Sequence, residues 1–296
     1  MKRDRVELIE RVQSVIAEYT ERLTVRQVHY RLVAQQWEQY PNTVSSYRWL
    51  RVELGKARID GVVAWDSIED RTRTVDENHG SEEDPETFIG QIKDMIQNSE
   101  DYYGLPIWWG QPKRVQVWVE KQALASVFER VATELGVDFV VCRGYPSLSL
   151  LYEVSEVLAG ASEEVEELIV LYFGDFDPSG VDIERSALEH LTTTFGIDVV
   201  FERVALTKEQ ITEYKLPPAP AKKTDSRRTQ FVADYGVDWQ VELDAILPDE
   251  LRRLIRTRVM SHMDKDKKNE RDDELEERRE RIKERVREVL DDLADE

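Results

Sequence analysis

Residues 166–180 read EELIVLYFGDFDPSG: an apolar run, two aspartates one residue apart, then Pro178, Ser179 and Gly180. The run reads as a strand through Asp175, Pro178 stops it, and Ser179 is expected to cap the helix that follows. Because residues i and i+2 of an extended chain face the same way, Asp175 and Asp177 are expected to project together from the strand's end.

The same rhythm continues on both sides of this stretch. RVQVWVE (114–120), DFVVCRG (138–144) and DVVFERV (198–204) read as further strands. They alternate with the helical patterns KQALASVFERVATELG (121–136), SLSLLYEVSEVLAG (147–160) and VDIERSALEHLTTTFG (181–196). Strand and helix in alternation define an α/β domain with a mostly parallel sheet. Ligands of such sheets bind where the carboxyl ends of neighbouring strands converge, and Glu120 ends its strand in the same topological position as Asp175.

Three acids would then share one crevice. Like charges so close raise one another's pKa unless a cation joins them, and hard oxygen ligands with no His or Cys nearby suit Mg²⁺. An ordinary alternative makes Asp175 a strand-end residue, Asp177 a turn residue and Glu120 a helix-start residue. A phosphatase-type pair, in which the first aspartate attacks phosphate covalently, is a third possibility.

The bulk numbers narrow the class. With 296 residues, 41% of them hydrophobic, the chain can bury a core and form one to three domains. No apolar stretch approaches the roughly 20 residues a bilayer span requires, and MKRDRVELIERVQ lacks the apolar core of a signal peptide, so a cytoplasmic protein is expected. Cys142, the single cysteine, lies in the apolar DFVVCRG and is expected to be an inert buried thiol.

The net charge of −20 argues against a polyanionic partner, or else reflects adaptation to a salt-rich cytoplasm where repulsion is screened. Against that background Arg22–Asp60 is positive, with seven basic residues to three acidic ones. Three helical patterns occupy this end: RDRVELIERVQSVIAEYT, TVRQVHYRLVAQQW with Thr24 as N-cap, and TVSSYRWLRVELGKARID. The strand-like VVAW (62–65) follows, and three short helices ahead of an extended pair point to a winged helix-turn-helix.

DENHGSEEDPE (76–86) reads as a linker, with a connecting helix over about 87–100. Beyond the sheet come the Pro-rich KLPPAPAKK and the strand-like VELDA, in which Glu242 and Asp244 either add acidity near the crevice or serve packing. The terminal helix spaces Leu275, Ile282, Val286, Val289 and Leu293 as a narrow packing stripe, or as a coiled-coil seam. The expected units are 1–80, 81–111, 112–250 and 251–296: DNA-binding domain, linker with connecting helix, sheet domain with its extension, and charged tail.

VEKQAL, RGYPS and FGDFDPSG, in that order on alternating strands and helices, resemble the Toprim domain of the topoisomerase VI A subunit and its meiotic break-forming relatives. VRQVHY resembles that family's winged-helix motif, with an arginine four residues ahead of a nucleophilic tyrosine. The resemblance covers about 20–75 and 112–250, through KKTDSR and VELDAILP, and the layout is similar to that of the short topoisomerase mini-A proteins. It implies Tyr30 as nucleophile with Arg26 beside it, Glu120, Asp175 and Asp177 as Mg²⁺ ligands, and a homodimer that breaks double-stranded DNA across a site shared between protomers. The family usually has an aromatic residue where this chain has His29, and ATP-driven strand passage would require a separate ATPase partner.

The chemistry of the residues agrees with that assignment. A phenol of pKa about 10 needs a cation or base before it attacks phosphate, and Arg26 stands one helical turn from Tyr30. Arg48, Arg51, Lys56 and Arg58 on the third helix, and Arg143 of RGYPS, are the expected phosphate contacts. His29 is expected at the surface or in a hydrogen bond rather than as a base. A DNA enzyme of this kind is expected to be nucleoid-associated, and three alternatives stand beside it: Tyr30 as an amphipathic core residue, a Toprim nuclease that activates water, and a non-catalytic DNA-binding protein.

Overall fold

A computed structural model describes residues 4–19, 22–69, 84–162, 165–221 and 224–294. Helices α1 (Arg5–Ala17), α2 (Val25–Ala34) and α3 (Val44–Ile59) pack through Leu8, Val12, Val28, Leu32, Leu50 and Leu54, the apolar faces set by their helical spacing. Thr24 caps α2 in a reciprocal box with Gln27, which satisfies two otherwise orphaned N–H groups. Ahead of α2 the short strand β1 (Leu23–Thr24) pairs in parallel with β2 (Ile68–Glu69).

VVAW is a turn, contrary to the expected strand. Gly61 adopts φ +72° after α3, which folds the chain back so that the Val62 and Val63 N–H groups both reach the Ala57 carbonyl; Trp65–Ser67 then form a 3₁₀ turn. Most of the expected linker, residues 76–83, lies outside the described residues, while Asp84 caps the connecting helix α4 (Pro85–Gln97).

The four apolar runs are the strands β3 (Lys113–Val119), β4 (Asp138–Val141), β5 (Glu167–Phe173) and β6 (Val200–Ala205), all parallel in the order β4-β3-β5-β6. Alternation sends Val117, Val119, Leu171 and Phe173 to one face, where α5 (Ala125–Leu135) and α10 (Pro248–Met260) cover them. Trp118, Val170 and Tyr172 face the other side, against α6 (Leu148–Ser162) and α7 (Pro178–Glu189). The central strands are buried on both faces, hence the unbroken apolar run in β5.

After β6 the chain continues through α8 (Lys208–Glu213), β7 (Ala219–Pro220), α9 (Arg228–Tyr235), β8 (Trp239–Gln240), α10 and α11 (Lys265–Ala294), with β7 and β8 antiparallel. VELDA is not a strand. Val241 makes a single bridge to Phe176, and Leu243–Ala245 turn as a 3₁₀ helix. Lys222 and Lys223 of KKTDSR lie outside the described residues.

The stripe on α11 packs on its own chain: Leu275, Ile282 and Val286 are half-buried, and Arg278 donates to the Tyr103 hydroxyl at 3.0 Å. Val289 is exposed, and Leu293 falls outside the described side chains. No helix among the described residues is long and apolar enough to cross a membrane.

Leu171 is fully enclosed between β3, β6 and α5. Leu171→Ala should lower the unfolding free energy by about 2–5 kcal/mol in urea titration; a loss below ~1 kcal/mol would show that this strand is not the centre of the core.

Candidate functional site

β3 leads to β4 on one side of the sheet, and the chain then crosses β3 to place β5 on the other, so a crevice opens at the carboxyl ends of β3 and β5. Register sets Val119 opposite Phe173, and the Glu120 N–H continues the ladder to the Phe173 carbonyl at 2.9 Å. Strand β5 ends at Phe173, two residues earlier than expected, so Asp175 and Asp177 sit on the loop rather than in the strand. Both still line one cleft of about 410 Å³ with Glu120, Arg26 and Arg143.

Each carboxylate spends one oxygen on a backbone N–H. Glu120 Oε2 accepts from Asp175 N at 2.9 Å, Asp175 Oδ1 from Leu243 N at 2.8 Å, and Asp177 Oδ1 from Gly180 N at 2.6 Å. Asp177, not Ser179, is therefore the N-cap of α7: it has the extended backbone of a cap, and the Ser179 hydroxyl donates to it at 2.9 Å. A Cβ on Gly180 would collide with the Asp175 carbonyl, so only glycine lets the helix start this close to the carboxylates. Arg203 braces the same loop, donating to the Gly180 carbonyl at 2.8 Å and pairing with Glu184 at 2.7 Å.

At the centre stands a residue that spacing did not single out. Lys121 Nζ lies 2.9 Å from Asp175 Oδ2, 2.8 Å from Glu242 Oε2 and 2.8 Å from Asp244 Oδ2. Arg26 reaches in from α2 and pairs with Glu242, with Nε 3.9 Å from Asp244 Oδ2. Glu242 and Asp244 thus join the crevice. The adjacency of Lys121 to Glu120 in VEKQAL was the one sequence signal for it.

Burial and charge act against each other here. Burial lifts the Asp175 carboxyl to about 7, with Lys121 opposing the rise and Glu120 adding to it. Glu120 is raised by burial and by Asp177, against the Asp175 N–H and Lys121. Burial would also raise Glu242, but Lys121 and Arg26 overcome it and hold the group down at about 2. Burial disfavours the charges of Lys121 and Arg26, yet the carboxylates around them keep both more firmly protonated than usual.

Tyr30 adjoins this cluster in a second cleft of about 480 Å³ that shares Arg26, Gln240 and Glu242 with the first. It is 5% exposed and packs with the sheet's core; burial and Glu242 hold its phenol protonated against the pull of Arg26 and Lys121. His29 is buried, with Nδ1 2.9 Å from the Tyr40 hydroxyl and Nε2 3.3 Å from Asn42 Oδ1, so of its two expected settings it takes the hydrogen-bonded one.

The expected phosphate contacts divide. Arg143 is exposed on the cleft rim, with Nε donating to Gln122 at 2.8 Å. Arg48 and Arg51 are exposed on α3, away from the cleft lining. Lys56 pairs with Glu53 at 2.9 Å, and Arg58 donates to the Trp65 and Ile68 carbonyls at 2.8 and 3.3 Å, a structural role. Cys142 is buried, its thiol pushed up to about 12 by that burial.

Among the described residues no three His, Cys, Asp or Glu side chains are assembled as a metal-ion site. The donors still fit a hard cation in kind. Backbone bonds engage Glu120 Oε2 and Asp177 Oδ1, both residues line the same cleft, and Mg²⁺ is commonly held by one or two carboxylates and several waters. No family model matches the chain, and no curated protein matches it.

Glu242 sets a pH dependence. Its folded pKa is depressed, so its stabilisation is present above the unfolded value near 4.5 and lost as pH falls toward about 2. Acid unfolding monitored by circular dichroism should show a loss of about 3 kcal/mol across that window, absent in Glu242→Gln. An identical acid limb in the variant would place the effect elsewhere.

Proposed function

We propose that this chain is a DNA transesterase of the topoisomerase VI A-subunit type, with a winged-helix unit built on α1–α3, a Toprim-like sheet, and a homodimer as the working form. The observation that carries it is proximity: Glu120, Asp175 and Asp177 line one cleft at the strand ends, and Arg26, on its wall, also lines the neighbouring cleft that holds Tyr30. Resemblance of the motifs in family order supports the same reading.

In this reaction the Tyr30 oxygen forms a bond to a DNA phosphorus while the bond to the sugar oxygen breaks. The products are a phosphotyrosyl link and a free hydroxyl end; the phenol loses its proton and the leaving oxygen gains one. Arg26 supplies the positive charge beside the phenol, one turn away on α2. Glu120 and Asp177 would hold Mg²⁺, which when bound neutralises charge developing on the phosphate and the leaving oxygen. Arg143 on the rim and Arg48 and Arg51 on α3 take the phosphate contacts. Strand passage driven by ATP is assigned to a separate partner subunit.

One observation favours a second reading. A phenol 5% exposed and held protonated is poorly placed to attack, which suits a metal-dependent nuclease that activates water instead. Supercoiled plasmid with Mg²⁺, stopped with detergent and run with and without protease, separates the two. Wild type should leave protein on the broken ends, and Tyr30→Phe should bind DNA without forming an adduct. Cleavage by Tyr30→Phe with protein-free ends establishes the nuclease.

Asp177→Asn keeps the helix cap while removing the charge, and should abolish Mg²⁺-dependent cleavage with the melting temperature within a few degrees of wild type; full cleavage would remove Asp177 from the site. Sedimentation should give a dimer, and a fully active monomer would rule out a site shared between protomers.

A further inference from the structure

We propose that Lys121 is the resident second cation of the cleft: its ammonium takes the position between Asp175, Glu242 and Asp244 that a second divalent ion would otherwise fill. This rests on the divalent-ion reading of the same cleft and adds to it how many ions the cleft takes.

The geometry is that of a coordination centre. Three carboxylate oxygens, one from the loop after β5 and two from the turn after β8, lie 2.8–2.9 Å from one nitrogen, whose three N–H groups donate to Glu242 and Asp244 and leave Asp175 paired by charge. Two further acceptors line this cleft without a partner: buried Asp244 Oδ1, on a residue 1% exposed, and Gln240 Oε1. A lysine with three protons cannot satisfy five acceptors. A cation with six or more oxygen ligands can.

Arg26 does not substitute for Lys121. Its guanidinium is committed to Glu242 at the wall shared with the Tyr30 cleft, and Nε stays 3.9 Å from Asp244. Removing the Lys121 charge therefore leaves Asp175 without its cation and Asp244 with only the 3.9 Å contact to Arg26. Wild type takes up a single divalent ion, at Glu120 and Asp177, because the neighbouring position already carries a positive charge fixed by the chain.

The test is the number of Mn²⁺ ions bound per full-length chain, by electron paramagnetic resonance and calorimetry with Mn²⁺ alone. Wild type should bind one, Lys121→Met two, and Lys121→Met with Asp244→Asn one again. An unchanged count in Lys121→Met overturns the inference. A count of zero in wild type with one in Lys121→Met upholds the role of Lys121 and removes the Glu120–Asp177 ion from the proposed function. Should Lys121→Met be unfolded in chelator, Mn²⁺ must restore a cooperative thermal melt, and failure to do so also overturns the inference.

Discussion

Two cations, Lys121 and the more exposed Arg26, hold carboxylates from two distant parts of the chain in one place. Asp175 comes from the loop after β5, Glu242 and Asp244 from the turn after β8, and Arg26 from α2 in the amino-terminal helices. Asp175 and Asp244 would each cost several kcal/mol to bury alone, and their pairing with Lys121 offsets that cost. The pairing also fixes geometry: with Arg31 donating to the Ala245 carbonyl at 2.9 Å, it seats α2, and so Tyr30, at the carboxyl edge of the sheet.

The same constraint explains why the cleft is polarised. All three carboxylates are tied to backbone N–H groups, and of them Asp175 alone pairs directly with Lys121. Carboxylates paired with a cation and carboxylates held by backbone N–H groups alone lie side by side. Gly180 permits the packing, since any side chain there would push α7 away from the Asp175 carbonyl.

Much of the fold was legible in the sequence because its signals are local. The unbroken apolar run of β5, the apolar stretch of β3 and the Thr24 cap each follow from residues within a few positions of one another. Glu120, Asp175 and Asp177 were legible for the same reason: strand ends of a parallel sheet converge. Lys121 and Arg203 were not, because their partners lie in other segments that only folding brings near. VVAW and VELDA misled because alternating or apolar composition is compatible with a turn when Gly61 reverses the chain, or when Val241 finds a single bridge. Ser179 lost the cap to Asp177 because the carboxylate, already extended at the loop's end, reaches the Gly180 N–H first.

The Arg26–Glu242 pair couples the amino-terminal helices to the sheet. A double-mutant cycle of Arg26→Gln and Glu242→Gln, read by urea unfolding, tests it most directly. The coupling should be about 1–3 kcal/mol, with each single variant far more destabilised than the pair's removal as a whole would imply. Additive effects, with coupling near zero, would contradict it and leave the position of Tyr30 beside the carboxylates to be explained by apolar packing alone.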